Sequence, residues 1–136
     1  MFTNRFRNMN LRVLSVIFIL LFSFLNVAAT VPSKEIRIRF KKGATKTVVT
    51  GRLKGINDEV VFVLRARAGQ HMRVNIKGKG ATRGVVIFPS GQQDGGPGGL
   101  IFDGEITENG DYRIRVTESS MAEAWRGTFT LKVEIV

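Results

Sequence analysis

The feature that most constrains the fold of this chain is an alternation of apolar and polar residues with a period of two. Four segments carry it, and their apolar members are Ile36, Ile38 and Phe40; Met72, Val74 and Ile76; Tyr112, Ile114 and Val116; and Phe129, Leu131, Val133 and Ile135. Successive side chains of a strand point to opposite faces, so each segment lays one apolar row toward a core. The alternation therefore predicts half-buried β-strands.

Residues 60–64 are continuously apolar and predict a central strand. Three further segments, residues 48–53, 85–88 and 100–106, are weaker strand predictions. The breaks between the eight segments are rich in glycine and asparagine, which tolerate the backbone conformations of tight turns. About eight short strands at this spacing predict an all-β domain, an antiparallel β-sandwich of two packed sheets. Residues 119–125 could form a helical turn, which is too short to change the fold class.

The first 29 residues differ in kind from the rest. Three arginines precede an apolar run over residues 13–25, and Val27, Ala28 and Ala29 follow it. This layout is typical of a secretory signal peptide, with cleavage expected between Ala29 and Thr30. The run is shorter than the roughly 20 apolar residues of a membrane-spanning helix, which makes an uncleaved signal anchor the weaker alternative. We predict a signal peptide over residues 1–29 and one domain over residues 30–136, periplasmic or secreted and free of the membrane after cleavage.

The charge balance and the absence of cysteine limit what the domain can be. The chain has 21 lysine and arginine residues, 11 acidic residues and no cysteine. Three of the arginines lie in the signal peptide, so the remaining 18 basic residues against 11 acidic ones give a net charge of +7. Without cysteine there is no lipoprotein anchor, disulfide framework or thiolate metal site. Packing must therefore stabilise the domain, and its charge suits an acidic partner.

The groups needed for catalysis are scarce. Hydrolytic nucleophiles need a base within hydrogen-bond reach, usually histidine, and the single histidine, His71, is predicted to be a solvent-facing strand residue. The acidic residues lie mostly in turns, and no motif for a zinc site, an EF-hand or a dinucleotide-binding fold occurs. We predict a protein that is not an enzyme, with no catalytic residue, no bound metal and no cofactor.

A glycine-rich stretch covers residues 91–99. A phosphate-binding loop would end in Gly-Lys-Ser/Thr and lead into a helix, whereas this stretch ends in Gly99-Leu100-Ile101 and leads into a predicted strand. Its composition favours a mobile connecting loop at one tip of the sandwich.

Eight basic residues are predicted to face outward from the strands or lie beside them. They are Arg37, Arg39, Arg65, Arg67, Arg73, Lys77, Arg113 and Arg115. They predict one positive sheet face, which is either a docking surface for an acidic partner or simply a solvated surface. Nucleic acid is not expected, because the protein is exported and exposed stacking aromatics are few. An acidic protein cleft or an anionic envelope glycan fits the compartment.

The segment over residues 118–127, between the last two predicted strands, carries the only tryptophan of the chain, Trp125, followed by Arg126. Tryptophan and arginine are frequent binding anchors on protruding loops. The alternative is that Trp125 folds back and covers the end of the core.

Several segments resemble one known family. Residues 39–44, 51–55 and 62–70 are similar to the opening of bacterial periplasmic inhibitors of goose-type (g-type) lysozyme. Residues 109–116 resemble the penultimate strand of that family, and residues 129–135 its last strand. The broader group of pre-peptidase C-terminal β-sandwiches shares some of these motifs. The resemblance implies a jelly-roll-like sandwich.

The function implied by the resemblance is inhibition of g-type lysozyme, in which loops enter the active-site cleft of the enzyme. We predict that the partner-binding residues are Ser119, Ser120, Met121, Trp125 and Arg126. The family usually carries several basic residues in this loop, and here only Arg126 is basic. The alternative is a pre-peptidase-type module that binds an anionic envelope glycan or peptidoglycan without inhibiting a lysozyme. The sequence predicts no oligomeric state.

Overall fold

The computed structural model describes residues 34–136, which contain nine β-strands and no helix. The strands are β1 (Glu35–Arg37), β2 (Lys46–Leu53), β3 (Glu59–Ala66), β4 (His71–Gly78), β5 (Thr82–Ile87), β6 (Gln93–Pro97), β7 (Gly99–Glu105), β8 (Gly110–Glu118) and β9 (Gly127–Ile135). Within this range there is no helix of the length and apolarity that a membrane crossing requires. The predicted signal peptide and its cleavage site lie outside the described residues.

The nine strands form two sheets. One has the order β1-β3-β8-β5-β6 and the other the order β2-β9-β4-β7. The pairs β2–β9, β3–β8, β4–β7 and β5–β6 are nested along the chain, as expected of a jelly-roll-like sandwich, and all are antiparallel. Only the short β1 pairs in parallel, with β3. The predicted all-β sandwich is thus confirmed, with one strand more than the eight segments predicted.

The core lies between the two sheets and is built from the predicted apolar rows. On β8, Tyr112, Ile114 and Val116 are fully buried, and equivalent rows of β4 and β9 face them. Phe62 and Phe129 meet edge to face across the core, with ring centroids 6.1 Å apart. Because these rows recur every second residue, β4, β8 and β9 each turn one face to the core, whereas β3 is buried on both faces from Val61 to Leu64.

The first predicted row fits the structure only in part. Ile38 is buried and its N–H donates to the Val63 carbonyl at 2.8 Å, but Ile36 is 39% exposed and β1 ends at Arg37. As an edge strand with a single neighbour, β1 covers little of the core.

The prediction of a mobile connecting loop over residues 91–99 is wrong. Residues Gln93–Pro97 form β6, an edge strand paired with β5. Glycine permits this pairing, because a Cβ at Gly95 would lie 2.1 Å from the Gly84 carbonyl oxygen. The segment lacks apolar side chains, so nothing in its hydrophobic pattern indicates a strand.

The prediction of one positive sheet face is also wrong. Arg37, Arg65, Arg113 and Arg115 lie on strands of the five-stranded sheet, whereas Arg73 and Lys77 lie on β4 of the other sheet. Arg39 and Arg67 lie outside the strands. Alternation fixes which side of a strand faces solvent, but it does not fix the sheet to which that strand belongs.

Candidate functional site

Four connections lie at the same end of the sandwich, which we call the loop end. They comprise residues 54–58, 79–81, 98 and 119–126. The registers place them together, because Leu53 pairs with Gly127, Glu59 with Thr117, and Thr82 with Glu118. The strand pairs thus bring segments that are distant in sequence to one edge of the molecule.

The segment over residues 119–126, which we call the long loop, contains all five residues predicted to bind a partner. Ser120, Met121 and Arg126 are exposed and Ser119 is half-buried, and the Met121 side chain is 96% exposed. The Ala122 N–H donates to the Ser119 carbonyl at 3.3 Å, which closes one turn without a helix. The loop therefore presents a small turn with an apolar side chain at its tip.

Trp125 differs from the other four residues because it folds back over the core. Its indole N–H donates to the Ala81 carbonyl at 2.9 Å, and the partly buried ring packs against the core cluster. A Cβ at Gly80 would lie 2.4 Å from Trp125 Cγ, so the ring lies directly on the backbone of that glycine. The structure therefore adopts the alternative in which Trp125 covers the end of the core.

Glu118, at the end of β8, is a buried acid that the sequence analysis did not single out. It is only 5% exposed, and its Oε1 accepts the Trp125 backbone N–H at 2.6 Å. Its Oε2 is buried and has no hydrogen-bond partner within residues 34–136. A signal was available, since Glu118 lies two residues beyond Val116 and continues the buried row of β8.

A groove of about 520 Å³ lies beside the long loop. Its walls come from three connections and the strand ends beside them, and they include Lys77, Gly80, Thr82, Pro97 and Ser119. The groove is open, and the polar side chains that line it are the hydroxyls of Thr82 and Ser119 and the ammonium group of Lys77. Such a surface can receive part of a partner, and it contains no pair of groups arranged for general acid–base chemistry.

Two other residues at the loop end were missed by the sequence analysis as binding candidates. Ile56, in the β2–β3 connection, is 51% exposed, and Lys79, in the β4–β5 connection, is also exposed. The sequence indicates only turns at both places, because an exposed side chain in a turn has no periodicity. With Met121 and Arg126, these residues make the loop end both apolar and basic.

Ion pairs between side chains occur on both sheets. The His71 Nε2 and Asp103 Oδ1 atoms are 2.5 Å apart, and Arg73 Nε lies 3.2 Å from Asp103 Oδ2. The His71 contact, supported by Arg73, lowers the pKa of Asp103. His71 is the first residue of β4 and lies at the end of the sandwich opposite to the loop end. It is exposed, as predicted.

A similar pair lies on the five-stranded sheet. Arg37 Nη2 lies 2.8 Å from Asp111 Oδ2, and the hydrogen bond lowers the pKa of the Asp111 carboxyl. Among residues 34–136 no group of three or more His, Asp or Glu side chains could hold a metal ion. The Arg37–Asp111 and Arg73–Asp103 pairs thus join different strands of the sandwich.

No protein-family model matches the sequence, and no curated protein matches it significantly. Solved structures do match. PliG of Aeromonas hydrophila, a periplasmic inhibitor of g-type lysozyme, superposes with a TM-score of 0.65 at 25% identity, over 76% of this chain and 96% of that chain. PliG of Salmonella Typhimurium, another such inhibitor, gives a TM-score of 0.61 at 17% identity, over 76% and 99% of the two chains.

A third match comes from the broader group. The pre-peptidase C-terminal domain of a collagenase from Bacillus anthracis gives a TM-score of 0.54 at 18% identity, over 76% of this chain and 97% of that chain. The structural neighbours thus include inhibitors of g-type lysozyme as well as a domain of the pre-peptidase type. The chain has the fold of the periplasmic inhibitors of g-type lysozyme and of the pre-peptidase C-terminal domain, as its sequence resemblance predicts.

Proposed function

We propose that this chain is an exported inhibitor of a g-type lysozyme, with no enzymatic turnover of its own. The observation that carries the proposal is the likeness to the Aeromonas hydrophila inhibitor over 96% of that chain at 25% identity. The signal peptide proposed for residues 1–29 places the domain in the periplasm or outside the cell, where a lysozyme acts. N-terminal sequencing of the exported protein tests the signal peptide and its cleavage site. The processed chain should begin at Thr30.

We propose further that the long loop enters the active-site cleft of the lysozyme. Three properties support this assignment: Met121 and Ser120 form an exposed tip, Arg126 is exposed, and the loop connects two strands of the well-buried sandwich at its loop end. Glycan-cleaving clefts carry carboxylates, and a domain of net charge +7 is drawn to them by long-range attraction. Ile56 and Lys79 widen the proposed contact surface at the same end.

The test is inhibition of lysis. The processed protein is mixed with goose-type and hen-type lysozymes, and clearing of a cell-wall suspension is followed. We expect inhibition of the goose-type enzyme near a 1:1 ratio and little effect on the hen-type enzyme. Arg126→Ala should weaken inhibition about tenfold, as for an interface residue of moderate importance. Arg67→Ala removes the same charge at the opposite end and is the matched control.

A second candidate function is supported by the likeness to the pre-peptidase C-terminal domain. In that case the domain binds an anionic envelope glycan or peptidoglycan without affecting any lysozyme. Sedimentation with insoluble peptidoglycan, weakened by added salt and combined with no inhibition of lysis, would support this function instead. Neither function involves nucleic acid or a metal.

A further inference from the structure

Both ends of the long loop are tied to one backbone carbonyl. The Ser119 N–H donates to the Ala81 oxygen at 3.0 Å, and the Trp125 Nε1–H donates to the same oxygen at 2.9 Å. A carbonyl oxygen has two lone pairs and can accept both bonds. The third tie is the bond from the Trp125 N–H to Glu118. We call Gly80, Ala81, Glu118 and Trp125 the loop clamp.

Gly80 gives the clamp its geometry. The Cβ of any other residue there would lie 2.4 to 2.6 Å from three atoms of the Trp125 ring. A Cβ at Gly127 would lie 3.2 Å from Trp125 Cζ3, so the ring also lies close to that glycine. The partly buried indole therefore lies against glycine backbone at the base of the loop, and its position depends on the absence of side chains at these glycines.

Burying the carboxylate of Glu118 costs free energy, and the position of Glu118 in β8 does not require a carboxylate. The inward positions before it on β8 are Tyr112, Ile114 and Val116, and an apolar residue would continue that row. A buried carboxylate with one oxygen lacking a partner loses hydration that nothing in the described residues replaces. What the carboxylate does provide is an acceptor for the Trp125 N–H, near the point where the long loop returns to the sheet.

We propose that Glu118 and Gly80 are positioning residues that hold the long loop in its binding conformation before a partner arrives. Trp125 then acts as an internal tie, and Met121, Ser120 and Arg126 remain free for contact. A loop ordered in advance loses less conformational entropy on association, which strengthens binding without adding contacts. This inference rests on the proposed role of the loop in lysozyme binding, and it extends that role to residues that touch no partner.

The only tryptophan of the chain lies in the clamp, so its fluorescence reports on the clamp directly. Two variants should release the ring independently: Glu118→Ala removes the acceptor, and Gly80→Ala displaces the indole. In both, acrylamide quenching should rise, the emission should shift to longer wavelength, and amide exchange over residues 119–126 should become about tenfold faster, the effect of one lost hydrogen bond. Far-UV circular dichroism should keep its β-sheet signal.

Two further variants separate positioning from general damage. Glu118→Gln keeps an oxygen that can accept the Trp125 N–H, so quenching and loop exchange should stay near wild-type values. Glu123→Ala removes an exposed carboxylate from the same loop, and it should leave both signals unchanged. Binding to goose-type lysozyme is then measured by surface plasmon resonance, and the two releasing variants should bind about tenfold more weakly than wild type.

The outcomes distinguish this inference from the proposed function. Unchanged quenching and exchange in both releasing variants would refute the clamp. Released loops that bind lysozyme as tightly as the wild type would show that ordering the loop does not matter for binding, which also overturns the inference. If the wild-type protein binds no lysozyme, inhibition itself is refuted, and quenching and exchange alone decide whether the clamp orders the loop.

Discussion

Two adjacent glycines in β6 should respond in opposite ways to the same substitution. A Cβ at Gly95 would lie 2.1 Å from the Gly84 oxygen and 2.8 Å from the Val85 Cα atom, both in the neighbouring strand β5. A Cβ at Gly96 would have no atom within 4 Å, and neither residue has a positive φ. Gly95→Ala therefore forces two backbones apart, whereas Gly96→Ala fills open space.

The size of the effect follows from the ladder geometry. Ordinary contact begins at 3.4 Å, so β6 would have to move by about 1.3 Å at Gly95. A hydrogen bond of about 2.9 Å does not survive that displacement. Loss of about two ladder bonds, each worth about 1 kcal/mol net, predicts a cost of about 2 kcal/mol. For a domain of about 100 residues, this lowers the thermal midpoint by about 10 °C.

The control should behave differently. Gly96→Ala reduces the freedom of the unfolded chain and should stabilise the domain by about 0.5 kcal/mol. Both variants are measured by thermal unfolding and by urea titration, with unchanged denaturant slopes as the check on a two-state comparison. Equal responses of the two variants would mean that the glycine-rich segment is not fixed in the sheet, and the description of β6 as a strand would be refuted.

Three other predictions concern the core and the sheet faces. Tyr112→Phe keeps the buried ring but removes a hydroxyl that donates to the Glu108 carbonyl at 2.8 Å, so urea unfolding should show a loss of about 1 kcal/mol. Gly51→Ala should destabilise the domain because its Cβ would lie 2.3 Å from Phe129 Cζ, and combining it with Phe129→Leu should cost less than the sum of the two single changes. The pKa of Asp103 is lowered in the folded state, so its stabilising effect is present above the ordinary aspartate pKa of about 4 and is lost as the pH falls through the lower value. Asp103→Asn should therefore reduce stability at neutral pH, and urea midpoints of variant and wild type should converge in strong acid.

Much of the fold could be predicted because burial leaves a periodic trace. The rows of β4, β8 and β9 are visible in the sequence, since every second side chain had to be apolar. Strand β6 could not be found in this way, because glycine pairs through its backbone and leaves no apolar row. Sheet membership was equally hidden, since it depends on which distant strands pair.

The candidate site could be predicted only as a segment. Exposed Met121 and Arg126 follow from a turn between two strands, and the alternative for Trp125 could be stated but not decided. Gly80 gave no signal, because its role depends on a contact with a ring 45 residues later in the chain. Glu118 did give a signal, because it is a charged residue at a position that continues the buried apolar row of β8. A charged residue that interrupts such a row marks a position where a local rule is broken for a specific contact.

The nested order of the strands has a consequence for biosynthesis. Strand β2 has β9 as its only neighbour in its sheet, and β9 also separates β2 from β4. Lys46 pairs with Glu134, so the first strand of that sheet stays without its neighbour until β9 has been synthesised. We expect the sandwich to be completed only once β9 is available, and its folding to take milliseconds to seconds, as for other folds dominated by distant pairings. Deletion of residues 127–135 would remove an interior strand of the sheet, so the loss of these nine residues should prevent folding.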